Sequence, residues 1–196
     1  MAEWRRLGDR AIRFARPPVP AQAIVRAVKA WPGVIDCAVA AHDVAAYFAD
    51  EPVVDPAQLA ALATLTAAVQ PGRELELRAS YDGIDLDDVA RATGLSTAEV
   101  VARHVAAVYT VDAIGFAPGF AYLIGLPTEL VLPRRTTPRP RVPAGSLAMA
   151  GSFTGVYPFD SPGGWHLIGR VVDRPMFGPD GARLQLGDRV RFVEER

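Results

Sequence analysis

The sequence predicts an α+β protein, with alternating strands and helices over residues 1–80 and a turn-rich β-structure after them. Two observations support this prediction. Apolar residues at helical spacing alternate with short strand-like runs in the first part of the chain. Residues 115–170 hold 17 of the chain's 34 glycines and prolines, a density that excludes long helices. Short strands that turn at Pro-Gly and Gly-Gly pairs are what this composition allows.

The first 80 residues read as β-α-β-β-α-β. The predicted elements are a strand within 4–15, a helix at 21–31, a hairpin at 34–50, a helix at 56–70 and a strand at 74–81. This is the order of the ferredoxin-like split βαβ arrangement. We therefore expect a ferredoxin-like domain over residues 1–80 and a second domain over residues 81–196.

The second domain is predicted to begin with two helices. Asp85 or Asp87 can cap the first, which Gly94 closes, and Ser96 with Glu99 has the spacing of a capping box for the second. A strand-like TVDAIGF run follows. Near the end of the chain, a Gly-Asp turn and an alternating VRFVE strand are typical of the closure of a small β-barrel.

Composition narrows the classes of function. A formal net charge of −1 gives no reason to expect nucleic acid or an anionic membrane as a partner. Cys37 is the only cysteine, so an internal disulfide and a cysteine-based metal cluster are excluded. The first residues lack the apolar run of a secretory signal, and no segment is long enough to span a bilayer. We expect a cytoplasmic protein.

Common catalytic and phosphate-binding motifs are missing. The only lysine is Lys29, within a predicted helix, so there is no Walker phosphate loop. His42, His104 and His166 have no metal-ligand spacing, and no metal site is expected. His104 and Tyr157 are the candidate acid–base groups, although His104 also fits a hydrogen-bonded histidine of the core or of an interface.

The turn-rich stretch interleaves aromatic, hydroxyl and guanidinium groups, which suits a pocket lining as well as the filling of a small barrel. The binding candidates are Phe116, Pro118, Gly119, Phe120, Tyr122, Arg139, Ser146, Thr154, Ser161, Gly163, Gly164 and Trp165. Arg139 stands between two prolines, which stiffen the loop, and is the leading candidate for binding an anion. The alternative for the surrounding arginine run is a solvated charged loop.

Four segments in this order and spacing resemble one family: GFAPGFAYLIGLP, PRRTTPRPRVPAGS, AGSFTGVYP and SPGGWHLIGR. The family contains the B component of the bacterial ATP-dependent 5-oxoprolinase, KipI-type kinase inhibitors and proteins labelled allophanate hydrolase subunit 1. It is also similar to part of the carboxyltransferase region of urea carboxylase. The match is dense from about residue 81 to residue 193 and thinner over the first 80.

The resemblance implies a ferredoxin-like domain followed by a cyclophilin-like β-barrel. The leading function that it implies is opening of 5-oxoproline to L-glutamate, coupled to hydrolysis of ATP. The resemblance implies that the ATP is bound together with Mg²⁺. A protein of this kind would act with a partner of related barrel fold, similar to the C component of 5-oxoprolinase, and with an A component, and would be inactive alone. Two alternatives stay open: a KipI-like inhibitor of a histidine autokinase, and a component of the allophanate hydrolase or urea carboxylase type.

Overall fold

The computed structural model describes residues 3–65 and 72–195. The chain divides into two compact units, Met1–Pro71 and Gly72–Arg196. Within the described residues, no helix is long and apolar enough to cross a membrane.

The first unit is a four-stranded antiparallel sheet with two helices. Its elements are β1 (Trp4–Arg6), β2 (Ala11–Ala15), α1 (Ala21–Lys29), β3 (Val34–Val39), β4 (Asp43–Phe48) and α2 (Pro56–Ala63). The sheet order is β1-β2-β4-β3. Alternate residues of β2 and β4, such as Ile12 and Val44, are buried together with Ile24 and Val28 of α1. Helix α2 is capped by Asp55, whose carboxylate accepts the Ala57 amide at 2.8 Å. Of the longer helix predicted here, residues 66–70 lie outside the described part of the chain.

The second unit contains a closed barrel. Its elements are β5 (Glu74–Ser80), α3 (Leu86–Thr93), α4 (Thr97–Ala106), β6 (Tyr109–Ile114), β7 (Ala121–Ile124), a 3₁₀ turn (Thr128–Leu130), β8 (Arg139–Val142), β9 (Ser146–Ala150), β10 (Phe153–Val156), β11 (Ser161–Gly163), β12 (His166–Val171), β13 (Phe177–Gly178), β14 (Gly181–Ala182) and β15 (Arg189–Glu194). Seven strands close in the order β10-β7-β6-β15-β5-β12-β9, and β9 pairs with β10. The α+β class and the barrel are confirmed.

The sequence prediction placed one strand in the wrong unit. Strand β5, expected to complete the N-terminal domain, pairs in parallel with β15 inside the barrel. In the first sheet, the position beside β2 that this strand would have taken is filled by β1 instead. Alternation of apolar residues predicts a strand but does not identify its partner, and this partner lies more than a hundred residues further along the chain.

The two helices predicted at the start of the second domain are present, between β5 and β6. Gly94 ends α3 in the left-handed conformation, at φ 71°. Ser96 and Glu99 form the capping box of α4, and the Ser96 amide donates to the Glu99 carboxylate at 2.8 Å. Asp85 stands at the N-cap position of α3, but its side chain makes no capping hydrogen bond. Its carboxylate binds elsewhere, as described below.

Strand alternation gives the barrel two packed surfaces. Leu147 and Met149 of β9 belong to a large core cluster that also holds Leu77, Val111 and Phe192 from other barrel strands. Between them, Ala148 belongs to a second cluster built around aromatic rings. Because successive strand residues point to opposite faces, β9 separates the barrel interior from an outer aromatic surface.

We expect Gly169→Ala to destabilise the barrel by about 2–3 kcal/mol, because an added Cβ would lie 2.1 Å from the Ser80 carbonyl oxygen. Gly178→Ala is a matched control, since nothing lies within 4 Å of its added Cβ. Urea unfolding should show a shift for the first variant and a change below about 0.5 kcal/mol for the second. Equal stabilities for the two variants would contradict this close contact between β12 and β5.

Candidate functional site

The predicted site residues fall into two groups on opposite faces of the barrel strands. Thr154 of β10 is paired across strands with Met149 and Leu123 of the interior cluster, so its side chain faces inwards. The next residue, Gly155, faces outwards, where an added Cβ would lie 3.2 Å from the Phe120 ring and 3.4 Å from the Trp165 ring. The contiguous stretch that suggested one pocket therefore contributes side chains both to the barrel interior and to the outer aromatic surface.

The inner group is centred on His104 of α4, which is fully buried. Its Nδ1 lies 2.7 Å from the Tyr81 hydroxyl and its Nε2 lies 3.0 Å from Thr154 Oγ1. The Thr154 hydroxyl donates to the Ala148 carbonyl at 3.0 Å, so it accepts from His104. These contacts assign the proton of the neutral ring to Nε2, with Tyr81 donating to Nδ1.

The predicted acid–base role does not suit His104 in this position. Burial lowers the pKa of its imidazole to about 3, so the ring is neutral at physiological pH. Both ring nitrogens are satisfied by protein groups, and the side chain has no exposed surface. The geometry fits the alternative that the sequence left open, a hydrogen-bonded core histidine that joins α4 to β10.

Protonation of His104 predicts a specific loss of stability in acid. Between the folded pKa of about 3 and an ordinary pKa near 6.5, the unfolded chain binds one more proton than the folded chain. The free energy of unfolding should therefore fall as pH decreases through this window, by about 1 kcal/mol per pH unit from this group. His104→Gln should have a shallower slope in urea unfolding between pH 6 and pH 4.

His42→Gln, at an exposed position in the first unit, is the control and should keep the wild-type slope. An unchanged slope in His104→Gln would show that this histidine does not titrate on unfolding.

The outer group is an aromatic cluster arranged around the buried Phe120. Its ring centroid lies 5.4 Å from Phe116, 5.0 Å from Tyr122, 5.3 Å from Tyr157 and 5.4 Å from Trp165. Every pair is edge-to-face, the arrangement that the ring quadrupole favours. Five candidates from the sequence are thus brought together in one place.

Phe116 stands at the exposed edge of this cluster. It is 62% exposed and has φ 71°, in the left-handed region where a bulky side chain is strained. The turn that follows runs through the exposed Pro118 and through Gly119 at φ 78°, where an added Cβ would lie 2.9 Å from the Phe177 ring. Strained, solvent-facing aromatic residues are concentrated at binding sites, which makes this edge a candidate for ligand contact.

Tyr157 is a packing residue rather than an accessible proton donor. Its side chain is buried, which raises the pKa of the phenol, while a hydrogen bond from the Trp165 backbone lowers it. An added Cβ on Gly163 would lie 2.3 Å from the Tyr157 hydroxyl, so the glycine allows the chain to cover that oxygen. The predicted acid–base role of Tyr157 is therefore not supported by its surroundings.

The remaining candidates help to shape the backbone. Ser146 is buried in β9, and its carbonyl accepts the Tyr157 amide at 3.0 Å. Ser161 and Gly163 lie on β11, which pairs with β8. Gly164 accepts the Arg135 amide at 2.8 Å through its carbonyl. The glycine-rich segment 161–165 thus supports the loop that carries the arginines.

Arg139, the predicted anion-binding residue, is already paired with an internal carboxylate. Its two terminal nitrogens donate to Asp85 at 2.9 and 2.7 Å, and Arg135 donates to the same carboxylate at 2.8 Å. The Leu167 amide adds a fourth hydrogen bond at 2.7 Å. Asp85 is only 1% exposed. The guanidinium of Arg139 is therefore occupied, and its expected role in binding substrate is not supported.

Sequence reasoning overlooked Arg134, the exposed arginine of this loop. No hydrogen bond or ion pair holds its guanidinium within the part of the chain that the structure describes. Burial raises the pKa of Tyr122 and of Tyr157, and the nearby positive charge of Arg134 opposes this rise. Its backbone is fixed on both sides, because Pro133 accepts from His166 Nε2 at 2.9 Å and Arg135 donates to Gly164.

Together these residues form what we call the outer face: the rings of Phe116, Phe120, Tyr122, Tyr157 and Trp165, together with Arg134, whose charge acts on Tyr122 and Tyr157. It offers apolar flat surface and one free positive charge. The flanking prolines favoured Arg139 over Arg134 in the sequence, whereas the difference in pairing depends on Asp85, about fifty residues away along the chain.

Comparison with known proteins places the chain in a family. A family profile described as carboxyltransferase domain, subdomain C and D, matches residues 8–186. The chain belongs to this carboxyltransferase-domain family. The resemblance seen in the four sequence segments is thereby confirmed.

Individual relatives of this carboxyltransferase-domain protein agree with that assignment. The B component of 5-oxoprolinase from Haemophilus influenzae is 45% identical over 130 residues, which cover 63% of this chain and 61% of that protein. Its counterpart from Bacillus subtilis is 46% identical over 114 residues, covering 57% and 47%. The chain thus matches about half to three fifths of the length of these relatives. A crystal structure of TTHA0988 shows 35% identity with a TM-score of 0.78, over 95% of this chain and 40% of that one.

Removing the Asp85 charge should destabilise the arginine loop. Asp85→Asn would leave two guanidinium groups without their carboxylate, and we expect a loss of about 2–3 kcal/mol because both arginines keep some contact with water. Asp88→Asn breaks an exposed pair with Arg91 and is the control, with a much smaller expected change. Urea unfolding measures both, and similar losses for the two variants would contradict the central role of Asp85.

Proposed function

We propose that the chain acts as the B component of an ATP-dependent 5-oxoprolinase, which opens 5-oxoproline to L-glutamate together with partner chains. One observation carries this proposal: the curated relatives that are 45% and 46% identical both carry the name of this 5-oxoprolinase component. Since that name describes one subunit of several, the proposed partners are other chains of the same complex, namely a barrel protein similar to the C component and an A component.

The outer face suits a small, flat carboxylate. 5-Oxoproline is a five-membered lactam ring with one carboxylate group. In the proposal the Arg134 guanidinium, which offers a planar fork of donors, binds the carboxylate. The half-buried ring of Tyr122 and the exposed ring of Phe116 provide apolar contact for the lactam. The glycine-rich segment 161–165 and the Asp85 pairs hold the loop in place, so that little entropy is lost on binding.

Ring opening breaks the lactam C–N bond. Water supplies a hydroxyl to the carbonyl carbon and a proton to the nitrogen, while ATP is hydrolysed to ADP and phosphate. On the outer face, the Tyr157 hydroxyl is covered by Gly163 and the Asp85 carboxylate is engaged by four donors. We therefore propose that this chain binds and orients the substrate and that partner chains contribute the groups that move protons.

The described residues contain no cluster of three or more His, Cys, Asp or Glu side chains that could hold a metal ion. We therefore propose no Mg²⁺ ligands from the described part of this chain. ATP remains part of the proposed reaction. Any contact of this chain with ATP would then be made by protein groups directly and not through a metal ion held by the described residues.

Arg134→Gln should weaken substrate binding in the assembled complex. We expect at least a tenfold higher KM for 5-oxoproline with a smaller change in kcat, because a charge-assisted hydrogen bond contributes about 1.5–3 kcal/mol. Arg134→Lys should recover part of the loss. The measurement is glutamate formed from 5-oxoproline and ATP by the full chain co-expressed with its partner chains.

Arg5→Gln changes an exposed arginine of the first unit and should behave as the wild type. A wild-type KM in Arg134→Gln would remove this arginine from substrate binding. If the assembled complex makes no glutamate, the 5-oxoprolinase assignment itself fails, and inhibition of a histidine autokinase or urea-dependent turnover becomes the next assay.

A further inference from the structure

The backbone on either side of Arg134 is held by two anchors from one short segment, which leads into β12. Before Arg134, the carbonyl of Pro133 accepts a hydrogen bond from His166 Nε2 at 2.9 Å. After it, the Arg135 amide donates to the Gly164 carbonyl at 2.8 Å. The two anchoring residues are only two positions apart in the chain, so the conformation of this part of the loop depends on a single segment.

The same segment also holds the aromatic part of the outer face. Trp165, between the two anchors, packs edge-to-face on Phe120 at 5.4 Å between ring centroids. The Leu167 amide donates to the Asp85 carboxylate at 2.7 Å, and the Leu167 carbonyl accepts the Asp85 amide at 3.0 Å. Four consecutive residues, 164–167, therefore place the arginine loop relative to the rings.

The anchor before Arg134 depends on one side chain, the imidazole of His166. Proline has no N–H group, so the carbonyl is the only backbone hydrogen-bonding group of Pro133. One residue earlier, the Leu132 carbonyl accepts the Gly151 amide at 2.6 Å. Without the imidazole, no hydrogen bond among the described residues would hold the peptide group that joins Pro133 to Arg134.

Stability alone does not account for a histidine at position 166. Because Nε2 donates to a carbonyl oxygen, the neutral ring carries its proton on Nε2 and leaves Nδ1 as an acceptor. Nδ1 is buried and has no hydrogen-bond partner among the described residues, which lowers stability. An apolar side chain of similar size would avoid this cost, and the carbonyl of the exposed Pro133 would then bind water.

We propose that His166 is a positioning residue for substrate binding and that it acts through Arg134. This inference rests on the proposed function, in which the Arg134 guanidinium binds the carboxylate of 5-oxoproline. The imidazole fixes the peptide group before Arg134, so the arginine loses less conformational freedom when the substrate binds. Releasing the backbone of one residue corresponds to a loss of affinity of about fivefold or more.

The first test compares His166→Leu with His166→Gln in the assembled complex. Leucine removes the donor, whereas the carboxamide of glutamine can donate to the same carbonyl. KM for 5-oxoproline should rise about fivefold or more in His166→Leu, with little change in kcat, and His166→Gln should recover most of this loss. His42→Leu, at an exposed position of the first unit, is the matched control and should keep the wild-type KM. Equal KM values for His166→Leu and His166→Gln would overturn the proposal.

Two further measurements separate positioning from a structural role and from direct contact with substrate. The urea midpoint of His166→Leu should be no lower than that of the wild type, and a clear decrease would assign His166 to stability instead. The double variant Arg134→Gln/His166→Leu should have the KM of Arg134→Gln alone, because both changes remove the same interaction. An additional rise in KM would show that His166 acts independently of Arg134 and would overturn the proposal.

Limited proteolysis of the purified full chain tests the anchor without any measurement of turnover. Trypsin cleaves after arginine except before proline, so the bonds that follow Arg134 and Arg135 report the order of this loop. Initial cleavage there should be about fivefold faster or more in His166→Leu and close to wild type in His166→Gln. Unchanged cleavage in His166→Leu would refute the anchor and leave the 5-oxoprolinase assignment intact. Faster cleavage, with a complex that makes no glutamate, would support the anchor and refute the assignment.

Discussion

The arrangement of the outer face depends on one buried carboxylate. Asp85 accepts four hydrogen bonds, from Arg135, Arg139 and the Leu167 amide, and so joins the start of α3, the arginine loop and β12. A charge removed from water this fully is tolerated only when it is paired and hydrogen-bonded. The loop cannot shift without breaking these bonds, so the position of the free Arg134 follows from a residue that never contacts the proposed substrate.

Strand alternation then decides which polar groups can meet a ligand. Thr154 and Gly155 are neighbours in the chain, yet one faces His104 inside the barrel and the other packs under Phe120 and Trp165 outside. The inner hydrogen-bond chain runs from Tyr81 through His104 to Thr154 and ends on the Ala148 carbonyl. His104 and Thr154 in this chain are fully buried, so no ligand can reach them from solvent. A stretch that is continuous in sequence therefore contributes separately to core stability and to a binding surface.

Local features of the fold were predictable from sequence, and long-range ones were not. The capping box of Ser96 and Glu99 and the left-handed Gly94 depend on residues within one helix turn, so their patterns suffice. The alternation of residues 74–80 indicated a strand, but its pairing with β15 depends on barrel closure. Likewise, Arg139 looked free because its partner Asp85 resembled an ordinary helix cap, and only the fold brings the two together.

The same reasoning applies to the 20 arginines of the chain, since their number says little about where anions bind. Pairing with carboxylates fixes Arg135 and Arg139, whereas Arg134 of the same loop has no such partner among the described residues and can attract a ligand. Its charge acts on Tyr122 and Tyr157 of the outer face, which suits the binding of a single carboxylate there.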